Sequence, residues 1–330
     1  MRQARYEKRG PVPQEVIECV ESPTPEPTTG QALVAVEAAP INPSDVLTLT
    51  GDYGMLPSLP AIGGNEGVGR VVRCGPETEG PEEGQLVLIP VGIGTWSSHV
   101  VADVRKLIPL PDQADPKQLA MMTINPPTAS LLLSEFVDLK EGDWVIQNAA
   151  NSGVGGYLVQ LARLKGYRTI NVVRRESAVE GVKAQGADVV LVDGDDLHKR
   201  VREATGGEPV RLAIDAVGGA ATDRIASCLA EGGTLVNYGM MSGEPCQVSP
   251  ANIVFRDVTV KGFWLAKWFE RASPDAQKTV FGQLTKLIAT GQLQARIAAE
   301  YDVSQIKEAV AAAAAGERDG KVLVVPSHDE

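Results

Sequence analysis

The sequence predicts a two-domain α/β protein in which a β-rich domain is interrupted by a doubly wound parallel sheet. Three observations carry this expectation. At 330 residues the chain exceeds one ordinary core and suits two. Up to about residue 120, short apolar or alternating stretches are punctuated by Gly and Pro, the texture of a barrel or sandwich. Beyond Leu119, strand-like runs alternate with helical periodicity, the texture of a sheet covered by helices.

In the first part, Ala32–Ala38, Gly67–Cys74 and Leu86–Pro90 read as strands. Trp144–Ala150 is the first strand of the second part, and Gly153–Lys165 follows with Val154, Tyr157, Leu158 and Leu161 at helical spacing. Further strands are expected at Thr169–Val173, Val189–Val192, Leu212–Val217, Thr234–Tyr238 and Val258–Gly262. Val280, Leu284, Leu287 and Ile288 share one helical face. An Ala-rich helix, Ser304–Ala315, and a strand, Lys321–Val325, end the chain; the Ala run reads as low-cost helix. The expected domains are 1–120 with 263–330, and 121–262.

Hydrophobic residues make up 43% of the chain, enough for a sizeable core in each domain. The net charge of −11 argues against nucleic acid and anionic membranes as partners. Cys19, Cys74, Cys228 and Cys246 lie far apart with no C-x-x-C spacing, which favours reduced thiols over a zinc knuckle or a disulfide framework. No apolar stretch approaches the roughly 20 residues that span a bilayer. Residues 1–5 lead into polar sequence without the apolar core of a signal peptide, so the expectation is a cytoplasmic protein. His99, His198 and His328 fall outside every motif.

The turn after the first parallel strand reads Ala150-Asn151-Ser152-Gly153-Val154-Gly155-Gly156. On G-x-G-x-x-G, Ala150 and Ser152 replace two glycines and Gly155 holds the third. Small residues let backbone N–H groups approach a pyrophosphate at a helix N-terminus. Many strand–helix turns look similar, but the strand before and the amphipathic helix after favour a dinucleotide site. The second strand ends in Arg174-Arg175, where NAD sites carry an acidic residue for the ribose hydroxyls. Two guanidinium groups suit a 2′-phosphate instead, so NADPH is the expected cofactor. The plain alternative is a solvated charge pair, although a cationic helix start opposes the dipole unless an anion sits there.

The chain resembles the zinc-free branch of the medium-chain dehydrogenase/reductase superfamily, and within it the mitochondrial-type 2-enoyl thioester reductases. The stretches that carry the resemblance include residues 41–45, 51–57 and 63–67, then Gly94-Thr95-Trp96, residues 147–155, and Phe263-Trp264-Leu265 with Trp268. The likeness runs from about Val34 to Lys321. It implies a GroES-like β-barrel catalytic domain and a Rossmann domain for NADPH. Zinc-using relatives place Cys where Asn42 stands and His where Asn65 stands, so no metal is expected. Glu66 then reads as a supporting or hinge residue. Tyr53 and Asn42 are the implied catalytic residues, Tyr53 as hydroxyl donor where charge develops on the thioester oxygen. Asn125, Asn151, Ser152, Gly153, Val154, Arg174, Arg175, Tyr238, Gly239, Met240, Met241, Phe263, Trp264, Leu265 and Lys321 are the implied cofactor contacts. Glu176 departs from the basic residue of some relatives, which leaves open how many cations clamp the phosphate. Trp96 and Trp264 fit either a cleft wall or plain core, and large aromatics favour core.

The function implied is NADPH-dependent reduction of the 2,3 double bond of an enoyl-CoA or enoyl-ACP. The runner-up is an NADPH:quinone oxidoreductase, which shares fold and cofactor; a nucleotide-binding protein without turnover is the third class. The resemblance also implies a homodimer joined through the edges of the Rossmann sheets.

Overall fold

A computed structural model of the chain describes residues 1–316 and 319–328. The chain divides into two compact units, residues 1–124 with 283–330, and residues 125–282.

In the first unit, among the described residues, a seven-stranded sheet runs in the order Ile297–Tyr301, Lys321–Val324, Gln31–Pro40, Val68–Cys74, Leu86–Leu88, Ile108–Pro109, with His99–Asp103 also paired to Gln31–Pro40. All its pairings are antiparallel except Ile297–Tyr301 with Lys321–Val324. A three-stranded sheet joins Ile17–Glu21, Arg2–Tyr6 and Ala61–Ile62. Alternating residues of the long strand, Ala32, Val34 and Val36, point into a core that includes Trp96, Ile41 and Leu49. Ile306, Ala309, Val310 and Ala313 of the helix Ile306–Ala314 join that core. The short alanines thus let this helix lie close to the sheet.

The second unit holds six parallel strands in the order Val189–Val192, Arg168–Val173, Trp144–Gln147, Val210–Asp215, Thr234–Asn237, Thr259–Gly262. Numbered along the chain this is 3-2-1-4-5-6, and the order reverses between Trp144–Gln147 and Val210–Asp215. The central strands are buried on both faces, so they read as continuous apolar runs. One face packs Ile146, Ile170 and Val172 against Leu197, Val201 and Ile225, and the other packs Val173 with Val179 and Val182.

The sequence reading ends this domain at 262, whereas the structure carries it to 282. Aromatic packing is the reason. Phe263 meets Phe136 edge-on at 5.9 Å between ring centres, and Phe269 stacks on Phe281 at 5.8 Å. At the other boundary Met121 and Met122 are buried in the first unit, where Thr285 Oγ1 donates to Met122 Sδ at 2.9 Å.

Two motifs far apart in sequence form one lock. A Cβ on Gly63 would stand 2.2 Å from Trp96 Cε3, and one on Gly64, itself at φ +96°, would stand 2.6 Å from the Trp96 nitrogen. The indole is fixed by its Nε1, which donates to the Pro40 carbonyl at 3.2 Å. Thr95 Oγ1 donates to the Glu66 carbonyl at 2.7 Å, so Gly63–Gly67 and Gly94–Trp96 clasp each other. Trp96 has no exposed surface and belongs to the core. Gly63→Ala is therefore expected to lower unfolding free energy by about 1–3 kcal/mol, as overpacked sites do. Urea denaturation followed by tryptophan fluorescence measures it, and an unchanged midpoint would contradict the lock.

Candidate active site

In the second unit the helix Gly153–Leu164 starts just beyond the strand Trp144–Gln147. Ser152 caps it, its Oγ accepting from Gly155 N at 3.1 Å. A Cβ on Gly155 would lie 2.5 Å from the Ala150 carbonyl oxygen, so only glycine lets the helix begin this close to the strand. Ala149 adopts φ 47°, uncommon for a residue with a Cβ, which turns the chain sharply. Asn151 is exposed, Ser152 and Gly153 are half-buried and Val154 is buried. The first N–H groups of any helix lack intrahelical acceptors and carry partial positive charge, the arrangement that takes a phosphate.

The strand Arg168–Val173 delivers Arg174, exposed, and Arg175, half-buried, the latter opening the short helical turn Glu176–Ala178. Tyr238 follows the fifth strand, with the Ser152 side chain near its hydroxyl. Burial pushes the Tyr238 phenol up, with Ser152 opposing, so it stays protonated. A Cβ on Gly239 would lie 2.7 Å from the Ala216 carbonyl oxygen, a second place where backbones approach too closely for a side chain. Met240 and Met241 are exposed. Asn125 is buried at the start of the helix Asn125–Ser134. Phe263 and Trp264 are half-buried and Leu265 is buried, where the edge strand passes into the helix Leu265–Arg271.

Beneath these loops lies Asp215, with no exposed surface. Its Oδ1 accepts from Asn148 Nδ2 at 2.6 Å, Val217 N at 3.0 Å and Gly218 N at 3.2 Å. Its Oδ2 accepts from Thr222 Oγ1 at 2.6 Å and Asn237 Nδ2 at 2.9 Å. Asp215, Asn148 and Asn237 escaped the sequence reading. The signal was present, since each is a polar residue at the carboxyl end of an apolar strand, the edge where doubly wound sheets bind ligands.

In the first unit Asn42 precedes the helix Pro43–Thr50 and is 2% exposed. Its backbone N–H donates to Asp45 Oδ2 at 2.7 Å, its Nδ2 donates to Glu66 Oε1 at 2.7 Å, and its Oδ1 accepts from Lys321 Nζ. Glu66 Oε2 accepts from the backbone N–H groups of Thr123 and Ile124, both at 3.0 Å. Asn65 Nδ2 donates to Asp45 Oδ1 at 2.7 Å. Asn42, Asp45, Glu66 and Lys321 are all buried, Lys321 with its ammonium on Asn42. Burial raises the Glu66 carboxyl above its ordinary range, opposed chiefly by the Asn42 donor and the Lys321 charge. Burial likewise pushes Asp45 up to about 6, against its bonds to Asn42 and Asn65 and the charge of Lys321. Tyr53 is half-buried in the segment that follows the helix.

The Asp45 value carries a pH signature. Its ordinary value of 3.8 lies below the folded value of about 6, so between them the folded state binds more protons. Stability therefore falls as pH rises across that window and levels off above it. Against Asp45→Asn, which cannot ionise, the natural protein is expected to lose about 2 kcal/mol between pH 4 and pH 6. Urea unfolding of both proteins at the two pH values measures this, and a pH-independent difference would count against the assignment.

The zinc-binding dehydrogenase family matches residues 153–281, and the alcohol dehydrogenase GroES-like domain matches residues 28–112. The mitochondrial enoyl-[acyl-carrier-protein] reductase of Rattus norvegicus is 40% identical over 268 residues, 79% of this chain and 72% of that one. Among solved structures, the mitochondrial 2-enoyl thioester reductase Etr1p/Etr2p heterodimer of Candida tropicalis is 26% identical at a TM-score of 0.85, over 98% of this chain and 99% of that one. An Etr1p/NADP/crotonyl-CoA complex is 25% identical at a TM-score of 0.86, over 98% and 99%. A mycobacterial quinone oxidoreductase is 27% identical at a TM-score of 0.84, over 99% and 100%. The two family matches fall on the second and first units respectively. The chain belongs to the medium-chain dehydrogenase/reductase superfamily, in the family of the mitochondrial enoyl-[acyl-carrier-protein] reductases.

Proposed function

We propose that this protein uses NADPH to reduce the 2,3 double bond of 2-enoyl thioesters carried on coenzyme A or an acyl carrier protein. The 40% identity to an enoyl reductase over 79% of the chain carries this reading. The second unit fits a dinucleotide, because Gly155 lets the Ser152-capped helix begin close against the strand Trp144–Gln147, which sets its first N–H groups at the carboxyl end of the sheet. Asn151, Ser152, Gly153 and Val154 would hold the pyrophosphate, and Arg174 with Arg175 the 2′-phosphate. Asn125, Tyr238, Gly239, Met240, Met241, Phe263, Trp264 and Leu265 would line the rest. Lys321 is also a proposed cofactor contact, and its Nζ donates to Asn42 Oδ1.

When held there, the cofactor would provide the hydride that the thioester's Cβ takes up. The chain's own task is the charge that then develops on the thioester oxygen and Cα, with a proton needed at Cα. Tyr53 is the proposed hydroxyl donor to that oxygen. Asn42 is the proposed second polar group, an amide held at both ends by Glu66 and Lys321. The proposal is metal-free: the Asn42 and Asn65 amides are engaged by carboxylates and the Lys321 ammonium already supplies a cation.

A homodimer also belongs to the proposal. The edge strand Thr259–Gly262 is exposed along its length, and Ile253, Val254 and Phe255 before it are 47%, 67% and 80% exposed. A second copy pairing on this edge covers both its backbone groups and that apolar surface. No helix among the described residues is long and apolar enough to cross a membrane. The Rattus norvegicus and Candida tropicalis relatives are described as mitochondrial; the proposal keeps the cytoplasm expected from the sequence.

Two measurements test the reading. NADPH consumption is expected to be faster with a short 2-enoyl-CoA than with a small quinone, and to survive chelation; the reverse preference would establish the quinone reductase instead. Arg174→Ala is expected to weaken NADPH binding about ten- to a hundredfold, as loss of one charge-assisted bond does, and to leave NADH nearly unchanged. Equal affinity of the natural protein for both cofactors would defeat the phosphate assignment.

A further inference from the structure

The segment that carries Tyr53 is tied down by a residue outside every motif. The helix Pro43–Thr50 stops at Gly51, in the left-handed region at φ 95°, where the N–H groups of Gly51 and Asp52 both donate to the Leu47 carbonyl at 2.9 Å. Regular structure resumes at Ala61, paired with Tyr6. Among the described residues, no backbone–backbone hydrogen bond falls on residues 54–60. Left to itself such a stretch samples many conformations, and ordering each residue costs about 1–2 kcal/mol.

Arg9 crosses this segment. Its Cδ and Cβ lie 3.4 and 3.7 Å from where a Gly51 Cβ would stand, so the stem packs on the bare backbone at the segment's start. Its Nη2 donates to the Pro57 carbonyl near the segment's end. Its charge also lies near Tyr6, itself 2% exposed in the core, where it opposes the upward push of burial on the phenol. The neighbouring Gly10 N–H donates to the Leu49 carbonyl at 3.2 Å, which fixes the Arg9 backbone against the helix end. Glycine at 51 is required by its φ, and the arginine stem packs at ordinary contact distance over it.

We propose that Arg9 is a positioning residue for Tyr53: it braces residues 51–57 against the strand Arg2–Tyr6 and so sets where the phenol stands. The proposal rests on the reading of Tyr53 as hydroxyl donor. Misplacement of a reacting group by about 1 Å costs as much as a hundredfold in rate, which is the lever a brace controls. Arg9 acts here through geometry and touches neither substrate nor cofactor.

The test compares Arg9→Met, which keeps a stem over Gly51, and Arg9→Lys, which keeps a charge, with Tyr53→Phe and the Arg9→Met/Tyr53→Phe double variant. Hydrogen exchange of the Gly51 and Asp52 amides, both bonded to the Leu47 carbonyl where the segment starts, NADPH affinity and the single-turnover rate with a short 2-enoyl-CoA are read for each folded protein. Arg9→Met is expected to speed exchange in that segment, leave NADPH affinity within about twofold, and slow turnover about tenfold, with partial recovery in Arg9→Lys. In the Tyr53→Phe background the same change is expected to cost less than about twofold, because the group being positioned is gone. Unchanged exchange in both arginine variants would overturn the brace. Equal rate losses in the two backgrounds would overturn the link to Tyr53. A full rate in Tyr53→Phe alone would instead defeat the catalytic reading of Tyr53, leaving exchange to judge the brace by itself.

Discussion

A buried carboxylate with five donors organises the ligand-facing edge of the parallel sheet. Asp215 has no exposed surface, yet it gathers Asn148 from the end of the first strand, Val217, Gly218 and Thr222 beyond its own strand, and Asn237 from the end of the fifth. Desolvating a carboxylate is tolerable only when its lone pairs are satisfied, and these two oxygens are. The loops after three strands are thereby fixed to one point beside the reversal in strand order. From that point the chain runs into the glycine turn on one side and through Tyr238 and Gly239 on the other. Asn148 Oδ1 closes the circuit by accepting from Ala216 N at 2.8 Å, so the asparagine is oriented at both ends.

The first unit solves a similar problem with different chemistry. Glu66 is also buried, but its donors are one side-chain amide and two consecutive backbone N–H groups, and a lysine ammonium stands one residue away through Asn42. Asn42 and Asn65 bring two carboxamides to this cluster. A carboxamide presents a donor and an acceptor on fixed sides, so it relays a network where a thiolate would bind a cation. Glu66 thus supports the start of the helix after Asn42 and the chain's exit at Thr123 and Ile124 at once.

Much of the sheet was legible because buried parallel strands leave continuous apolar runs bounded by turns, as Val210–Asp215 and Trp144–Gln147 do. The glycine turn was legible for the same reason that it is built: Gly155 has no room for a Cβ. Other elements hide. Asn125–Ser134 is buried nearly all round, so it lacks the polar face that betrays a helix. Pro43–Thr50 is short and mixes Ser, Asp and Thr with its leucines, which blurs its period. The unit boundary was set too early because Phe263 and Phe269 find ring partners that no local pattern announces. Lys321 shows the limit for a site: its strand is evident in sequence, but its bond to Asn42 spans 279 positions.

The clasp between Gly63 and Trp96 bears on how this sequence can drift. A side chain at 63 is excluded by the ring, and the ring is oriented by the Pro40 carbonyl rather than by anything that could yield. Neither position is then free to change alone: a larger residue at 63 demands a smaller one at 96, and the intermediate variant lacks either space or filling. Among descendants of a common ancestor the two sites should vary together or not at all, and a mutational library that randomises one without the other will recover little besides the starting pair.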